Sequence, residues 1–90
     1  MDPQTCADGI VSYVALKDWD EAFNSIRDLD AWLRRGGFKP KFPPTFNCSI
    51  SLGGPYCYSV LPHVNGTHSF TVWEFMAGAG QYIEARTYLL

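Results

Sequence analysis

Thr45-Phe46-Asn47-Cys48-Ser49-Ile50-Ser51-Leu52 alternates polar and apolar residues without a break. In an extended chain a period of two puts every second side chain on one side, so this stretch reads as a half-buried β-strand. Gly53-Gly54-Pro55 ends it, and Tyr56 to His63 follows, rich in aromatic and β-branched residues. Asn65-Gly66 is a strong hairpin signal, because both central residues of a type I′ turn need positive φ. His68 to Met76 reads as a third strand, Ala77-Gly78-Ala79-Gly80 as a break, and Gln81 to Leu89 as a fourth. The second half of the chain is thus predicted to be an antiparallel meander, with strands at about 45–52, 56–64, 67–76 and 81–89.

Turn positions fix register, and register fixes faces. A two-residue turn at Asn65-Gly66 sets Leu61 opposite Phe70, Ser59 opposite Val72 and Cys57 opposite Glu74. Tyr58 then meets Trp73, and Tyr56 meets Phe75. A turn at Gly53-Gly54 and a four-residue loop at Ala77–Gly80 extend the same bookkeeping. They gather Phe46, Cys48, Ile50, Leu52, Leu61, Phe70, Val72, Ile83, Ala85 and Leu89 on one side, the expected core face. The other side collects Tyr56, Tyr58, Trp73, Phe75, Tyr82 and Tyr88, with Asn47, Ser49, Ser51, Thr71, Glu84 and Arg86.

Asp18 to Arg35 carries the clearest helical signal. Asp18 is an N-cap with Glu21 three residues on, a capping-box arrangement. Asp20 and Glu21 begin the helix and Arg34 and Arg35 end it, which complements the dipole. Trp19, Ala22, Ile26, Leu29 and Leu33 step by three and four, with Phe23 beside them. Gly36-Gly37 supplies a left-handed stop. The apolar stripe needs a partner, and the core face of the sheet is the large one available. The expected fold class is therefore α+β, a two-layer sandwich of one helix on a four-stranded antiparallel sheet. Gly9 to Leu16 is β-branched and apolar on both sides and reads as an additional N-terminal strand at about 9–16. Cys6, Ile10, Tyr13 and Val14 in the same segment also fit helical spacing. Residues 2–7 read as a loose lead-in. Phe38-Lys39-Pro40-Lys41-Phe42-Pro43-Pro44 is a proline-stiffened loop.

Ninety residues form one domain, 1–90, with one small core. A formal net charge of −2 argues against a dedicated nucleic-acid binder, which shows a strong basic field. No apolar run is long enough to span a bilayer, and Met1-Asp2-Pro3 does not open a signal peptide, so a cytoplasmic protein without a membrane partner is expected. Cys6, Cys48 and Cys57 are odd in number and lack metal-ligand spacing, which points to reduced thiols, although Cys48 and Cys57 would lie diagonally on one face of the first hairpin. His63 opposite His68 gives two ligands where zinc needs three or four. Cys57 opposite Glu74 lacks the positive partner that activates a thiol. The glycines of Ala77–Gly80 lead into no helix, so they make a weak phosphate cradle. No G-x-S-x-G, P-loop, HExxH or dinucleotide fingerprint occurs. Neither catalysis nor a cofactor or metal is expected.

The candidate partner-binding residues are the ring-bearing side of the sheet, Tyr56, Tyr58, Trp73, Phe75 and Tyr82, with Glu84 and Arg86. Aromatic patches of this kind anchor interfaces. Trp32 lies off the helix stripe and reads either as a second anchor or as packing on the Phe38–Phe42 loop. Arg34 and Arg35, with Lys39 and Lys41, concentrate positive charge at the helix end, either as a solvated end or as a contact for an acidic partner. These features lead to a small non-enzymatic protein-binding module or inhibitor, a class that includes phage and mobile-element proteins that block a host complex. The alternatives are a single-stranded nucleic-acid binder that stacks bases on the rings, and a homodimer or assembly subunit that buries them.

Overall fold

The computed structural model describes residues 2–90. Two helices and four strands follow in order: α1 (Pro3–Ala15), α2 (Trp19–Arg34), β1 (Cys48–Ser51), β2 (Tyr56–Pro62), β3 (His68–Met76) and β4 (Gln81–Leu89). The strands form one antiparallel sheet in the order β1-β2-β3-β4. The architecture is α+β, as the alternation of the second half predicts.

The opening segment is a helix, not a strand. Asp2 caps α1 by accepting the Gln4 amide, and Pro3 occupies the first turn, where its missing N–H costs nothing. Ala7 and Ile10 are buried, and Cys6, Val11, Tyr13 and Val14 pack against the core. Helical spacing thus buries the apolar set that a strand would have split between two sides. The helix ends at Lys17, whose φ of 57° is left-handed. The Lys17 amide bonds Val14 O and the Asp18 amide bonds Tyr13 O. This doubly bonded stop is more commonly built on glycine. Asp18 then caps α2 by accepting the Glu21 amide. One short connection therefore ends one helix and starts the next, and α1 folds back along α2.

α2 buries Ala22, Ile26, Leu29 and Leu33, as its stripe predicts, and Asp30 as well. Trp19 is the exception on that stripe: it stands exposed at the first turn. Phe23 meets Tyr58 edge-on at 5.3 Å between ring centres. Gln4 ties α1 to the proline-rich loop by both accepting the Lys41 amide and donating to Lys41 O. Phe42 stacks on Phe46 at 5.0 Å and closes one end of the core.

The register differs from the sequence expectation at β2 and at part of β4. Cys48 pairs with Val60 and Ile50 with Tyr58, while Val60 pairs with Phe70 and Tyr58 with Val72. Both hairpins flanking β2 are displaced by one residue. In the β2–β3 turn, Gly66 donates to His63 O, His63 N–H donates to Thr67 O, and Gly66 holds φ 84°. This is a three-residue loop with a left-handed glycine, not a two-residue type I′ turn. Asn65 Oδ1 fixes it by accepting both the amide and the hydroxyl of Thr67. The two displacements cancel for β3 and invert β2 alone. Tyr58 and Val60 now face the helices, where Cys57, Ser59 and Leu61 were expected. Burying tyrosine and valine removes more apolar surface from water than burying cysteine and serine, which decides the choice.

The Ala77–Gly80 loop is four residues long, as expected, and Met76 pairs with Gln81. An irregularity between Val72 and Trp73 then leaves Ala85 as an extra residue on β4, so that Val72 meets Arg86 and Trp73 meets Glu84. Beyond this bulge β4 is inverted relative to expectation. Arg86 and Tyr88 point to the helices, and Thr87 and Leu89 point away.

The inverted part of β4 makes the principal polar contact of the core. Asp30 on α2 is 4% exposed. Arg86 holds it with a two-pronged fork, Nε to Oδ1 at 2.9 Å and Nη2 to Oδ2 at 2.6 Å. The Tyr88 hydroxyl adds a third bond to Oδ1 at 2.8 Å. His68, fully buried near Phe42, has both ring nitrogens without a partner among the described residues. That is a local cost of about 1–3 kcal/mol for the fold to carry.

Removing either member of the Asp30–Arg86 pair leaves the other without a counter-charge. Arg86→Met is expected to lose roughly 2–4 kcal/mol of unfolding free energy in urea titration, because the Asp30 carboxylate it leaves behind is buried, with Asp30→Ala losing less because the Arg86 head left behind reaches solvent. The core also holds acids that resist ionising. Burial pushes the Cys48 thiol from 9.0 up to about 11, and raises the hydroxyls of Tyr58 and Tyr88. The unfolded chain releases these protons first, so stability is whole below about pH 9 and falls toward about pH 11. Thermal melts at about pH 8 and about pH 10.5 should show this fall, and Cys48→Ala should make it smaller.

Candidate functional site

With both helices on one side, the outer side of the sheet has no covering layer among the described residues. Alternation along the observed register places Ser49, Ser51, Cys57, Ser59, Leu61, Ser69, Thr71, Trp73, Phe75, Tyr82, Glu84, Thr87 and Leu89 there. Small hydroxylated residues form its centre and larger apolar ones stand at both ends.

One end is aromatic. The Trp73 indole N–H donates to Ser59 Oγ at 3.0 Å, which lays the ring along the sheet. Phe75 and Tyr82 meet edge-on at 5.3 Å between ring centres. The Tyr82 hydroxyl donates to Gly54 O at 2.9 Å and lies 3.2 Å from Ser51 Oγ. In a flat sheet β1 and β4, three places apart, lie roughly 14 Å from each other, so this reach shows the sheet curling at that end. At the opposite end Leu61 and Leu89 are 53% and 58% exposed.

The polar groups between these ends largely satisfy one another. Thr71 and Thr87 hydroxyls lie 3.1 Å apart, and His63 Nε2 lies 2.5 Å from Ser69 Oγ. Ser59 and Ser51 are engaged by Trp73 and Tyr82. Polar groups already paired lose little when water is removed from above them. Glu84 is the one ionisable carboxylate on this side, and Arg86 has turned inward to Asp30. Such a surface suits burial against another apolar surface and gives a phosphate backbone no cation to meet.

The sequence-predicted set is therefore divided. Trp73, Phe75, Tyr82 and Glu84 share the outer side. Tyr58 is 2% exposed and sits in the core against Phe23 and Phe70. Tyr88 and Arg86 face Asp30. Tyr56 lies on the helix-facing side, past the end of the helical layer, and is exposed with Met76 and Ile83. Trp32 is not a free anchor: its indole N–H donates to Phe38 O, and its ring lies so close to Gly37 that a Cβ there would come within 2.3 Å of it. Arg35 stacks over the same ring at 5.7 Å, and Arg34 is exposed beside it, both at the far end of α2. Leu61, Leu89 and Ser59 are outer-side residues that the sequence reading placed on the core face, whereas Thr71 lies on the outer side as expected. The size contrast between Tyr58-Val60 and Cys57-Ser59 was the available signal for Leu61 and Ser59, whereas Leu89 is turned outward by the Ala85 bulge.

Comparison with protein-family models, with curated proteins and with solved structures finds no match for this chain. Function must therefore be argued from the surface alone. Among the described residues no helix is long and apolar enough to cross a membrane, and no cluster of His, Cys, Asp and Glu is arranged to hold a metal ion. His63 and His68 fall on opposite sides of the sheet, since His68 pairs with Pro62. Cys57 pairs with Trp73, not with Glu74. Cys48 and Cys57 likewise face opposite sides, and all three cysteines are free.

That division can be read chemically. Cys48 is buried with a thiol pushed up to about 11, whereas Cys57 is half-exposed on the outer side. Iodoacetamide at about pH 8 should modify Cys57 in the folded chain and leave Cys48 untouched, as followed by peptide mass spectrometry, with all three labelled after denaturation. Labelling of Cys48 ahead of Cys57 would refute the register of β2.

Proposed function

We propose that this chain is a protein-binding module that docks on another protein through the outer side of its sheet. The observation that carries the reading is the uncovered Trp73-Phe75-Tyr82 cluster, continuous with a floor of serines and threonines whose hydroxyls are already engaged in hydrogen bonds. Tyrosine, tryptophan and phenylalanine supply large contact area at low entropic cost and are enriched in interface centres. Leu61 and Leu89 extend the apolar surface at the other end. Covering it removes apolar area from water without stranding a charge, apart from Glu84 at the margin.

An inhibitor or adaptor fits this description better than a stacking platform for single-stranded nucleic acid. Stacking proteins combine rings with a basic groove. Here Arg86 is neutralised by Asp30, and Arg34 and Arg35 lie at the far end of α2.

Photo-crosslinking tests the assignment. A benzophenone amino acid in place of Phe75 is expected to capture a discrete partner from lysate of the native host. The same group in place of Asp28, exposed on the helical side, should not capture it. Trp73→Ala is expected to weaken capture at Phe75 by at least about tenfold, the loss typical of an interface hot spot. Equal capture from both positions, or capture indifferent to Trp73→Ala, would exclude the outer side as the docking surface.

A further inference from the structure

We propose that the free edge of β1 accepts an extended, lysine- or arginine-bearing segment of a partner as a fifth strand. This edge adjoins the outer side of the sheet at Ser49 and Ser51, but it uses backbone groups and not the rings, and does not depend on the reading above.

The direction of the β1 backbone follows from the ladder. His68 and Leu90 exchange both of their amide–carbonyl bonds. In an antiparallel sheet such exchanging pairs recur at every second residue. Phe70 and Val72 therefore bond toward β4, and Ser69, Thr71 and Trp73 bond toward β2. The amide bond from Phe75 to Pro55 O agrees with this phase. On β2, Leu61, Ser59 and Cys57 then serve β3, and Val60 and Tyr58 serve β1. Their partners Cys48 and Ile50 point inward along the ladder. The amides and carbonyls of Ser49 and Ser51 are left pointing away from the sheet.

There is room beside them. A cavity of about 210 Å³ is lined by Trp19, Ser49, Ile50, Ser51 and Leu52. Trp19, at the first turn of α2, is 43% exposed and forms its far wall. A groove between an edge strand and a helix, with open backbone groups on one wall, is the setting for strand addition. β1 is short, four residues, but it lacks the chemical features that block an added strand. It contains no charge, no proline and no bulge, whereas the other edge, β4, carries Glu84 and the Ala85 bulge.

Charge selects the occupant. Asp18, Asp20 and Glu21 surround Trp19 in the sequence and are all exposed, against a single Lys17. The start of α2, which carries the Trp19 wall, is acidic, and the indole face itself attracts a cation. A second copy of this chain, paired edge to edge about a two-fold axis, would bring two such acidic sets into one joint. A basic segment meets no such repulsion.

Heteronuclear NMR tests this with an acetylated and amidated peptide of about eight residues alternating lysine and valine. The peptide should shift the amides of Ser49 and Ser51 and the Trp19 indole in a saturable way, and more weakly as salt rises from about 50 to about 500 mM. The matching glutamate–valine peptide should not. Ser49→Pro removes an outward amide without breaking a bond to β2, and Trp19→Ala removes the wall. Each should weaken binding at least about tenfold. Trp73→Ala, on the outer side, should leave peptide binding unchanged. Three results would overturn the proposal: equal binding of the glutamate peptide, no effect of Ser49→Pro and Trp19→Ala, or concentration-dependent dimerisation through Ser49 and Ser51 without peptide.

Discussion

The short connection between the two helices governs this molecule. Lys17 takes up a left-handed conformation so that Asp18 can finish one helix and cap the next. A turn of that length leaves α1 no route to the far side of the sheet, and it packs along α2 instead. The sheet is therefore layered on one side only. Everything distinctive about the surface descends from this asymmetry: rings and hydroxyls on one side, and a single core on the other.

The Asp30 cluster secures the arrangement from the opposite end of the chain. Hydrophobic packing of α2 on the sheet is broad but has little directional preference. A buried carboxylate gripped by a fork and a phenol tolerates few positions. It connects the middle of α2 to β4, the strand farthest from β1 in the sheet. The ion pair does not have to add much stability to be useful, since its geometry discriminates among helix placements of similar apolar burial. The Ala85 bulge is what turns Arg86 and Tyr88 toward it.

Much of the fold was legible because its signals are local. The capped stripe of α2, the glycine stop after it, the four strands and the Ala77–Gly80 loop all follow from neighbouring residues. The inner positions Cys48, Ile50, Phe70 and Val72 were read correctly for the same reason. What failed was parity. Asn65-Gly66 marks a hairpin in either of two loop lengths, and the difference of one residue turned Tyr58 from a surface ring into a core ring. The Ala85 bulge has no signature in composition. At the amino terminus the β-branched run favoured a strand, and the cap and first-turn pair Asp2-Pro3 went unread in a segment taken as a loose lead-in. Of the candidate site, Trp73, Phe75, Tyr82 and Glu84 fell on the outer side, while Tyr58 and Arg86 were drawn into the core by partners on α2 distant in sequence.

The bulge at Ala85 makes spacing a stricter constraint than identity in the last third of the chain. Losing that residue would restore perfect alternation and exchange Arg86 and Tyr88 with the side chains now turned to solvent, stranding Asp30 in the dark. A chain that drifts in evolution while keeping this shape can therefore replace many letters between Trp73 and Tyr88, but it has little freedom to change how many there are.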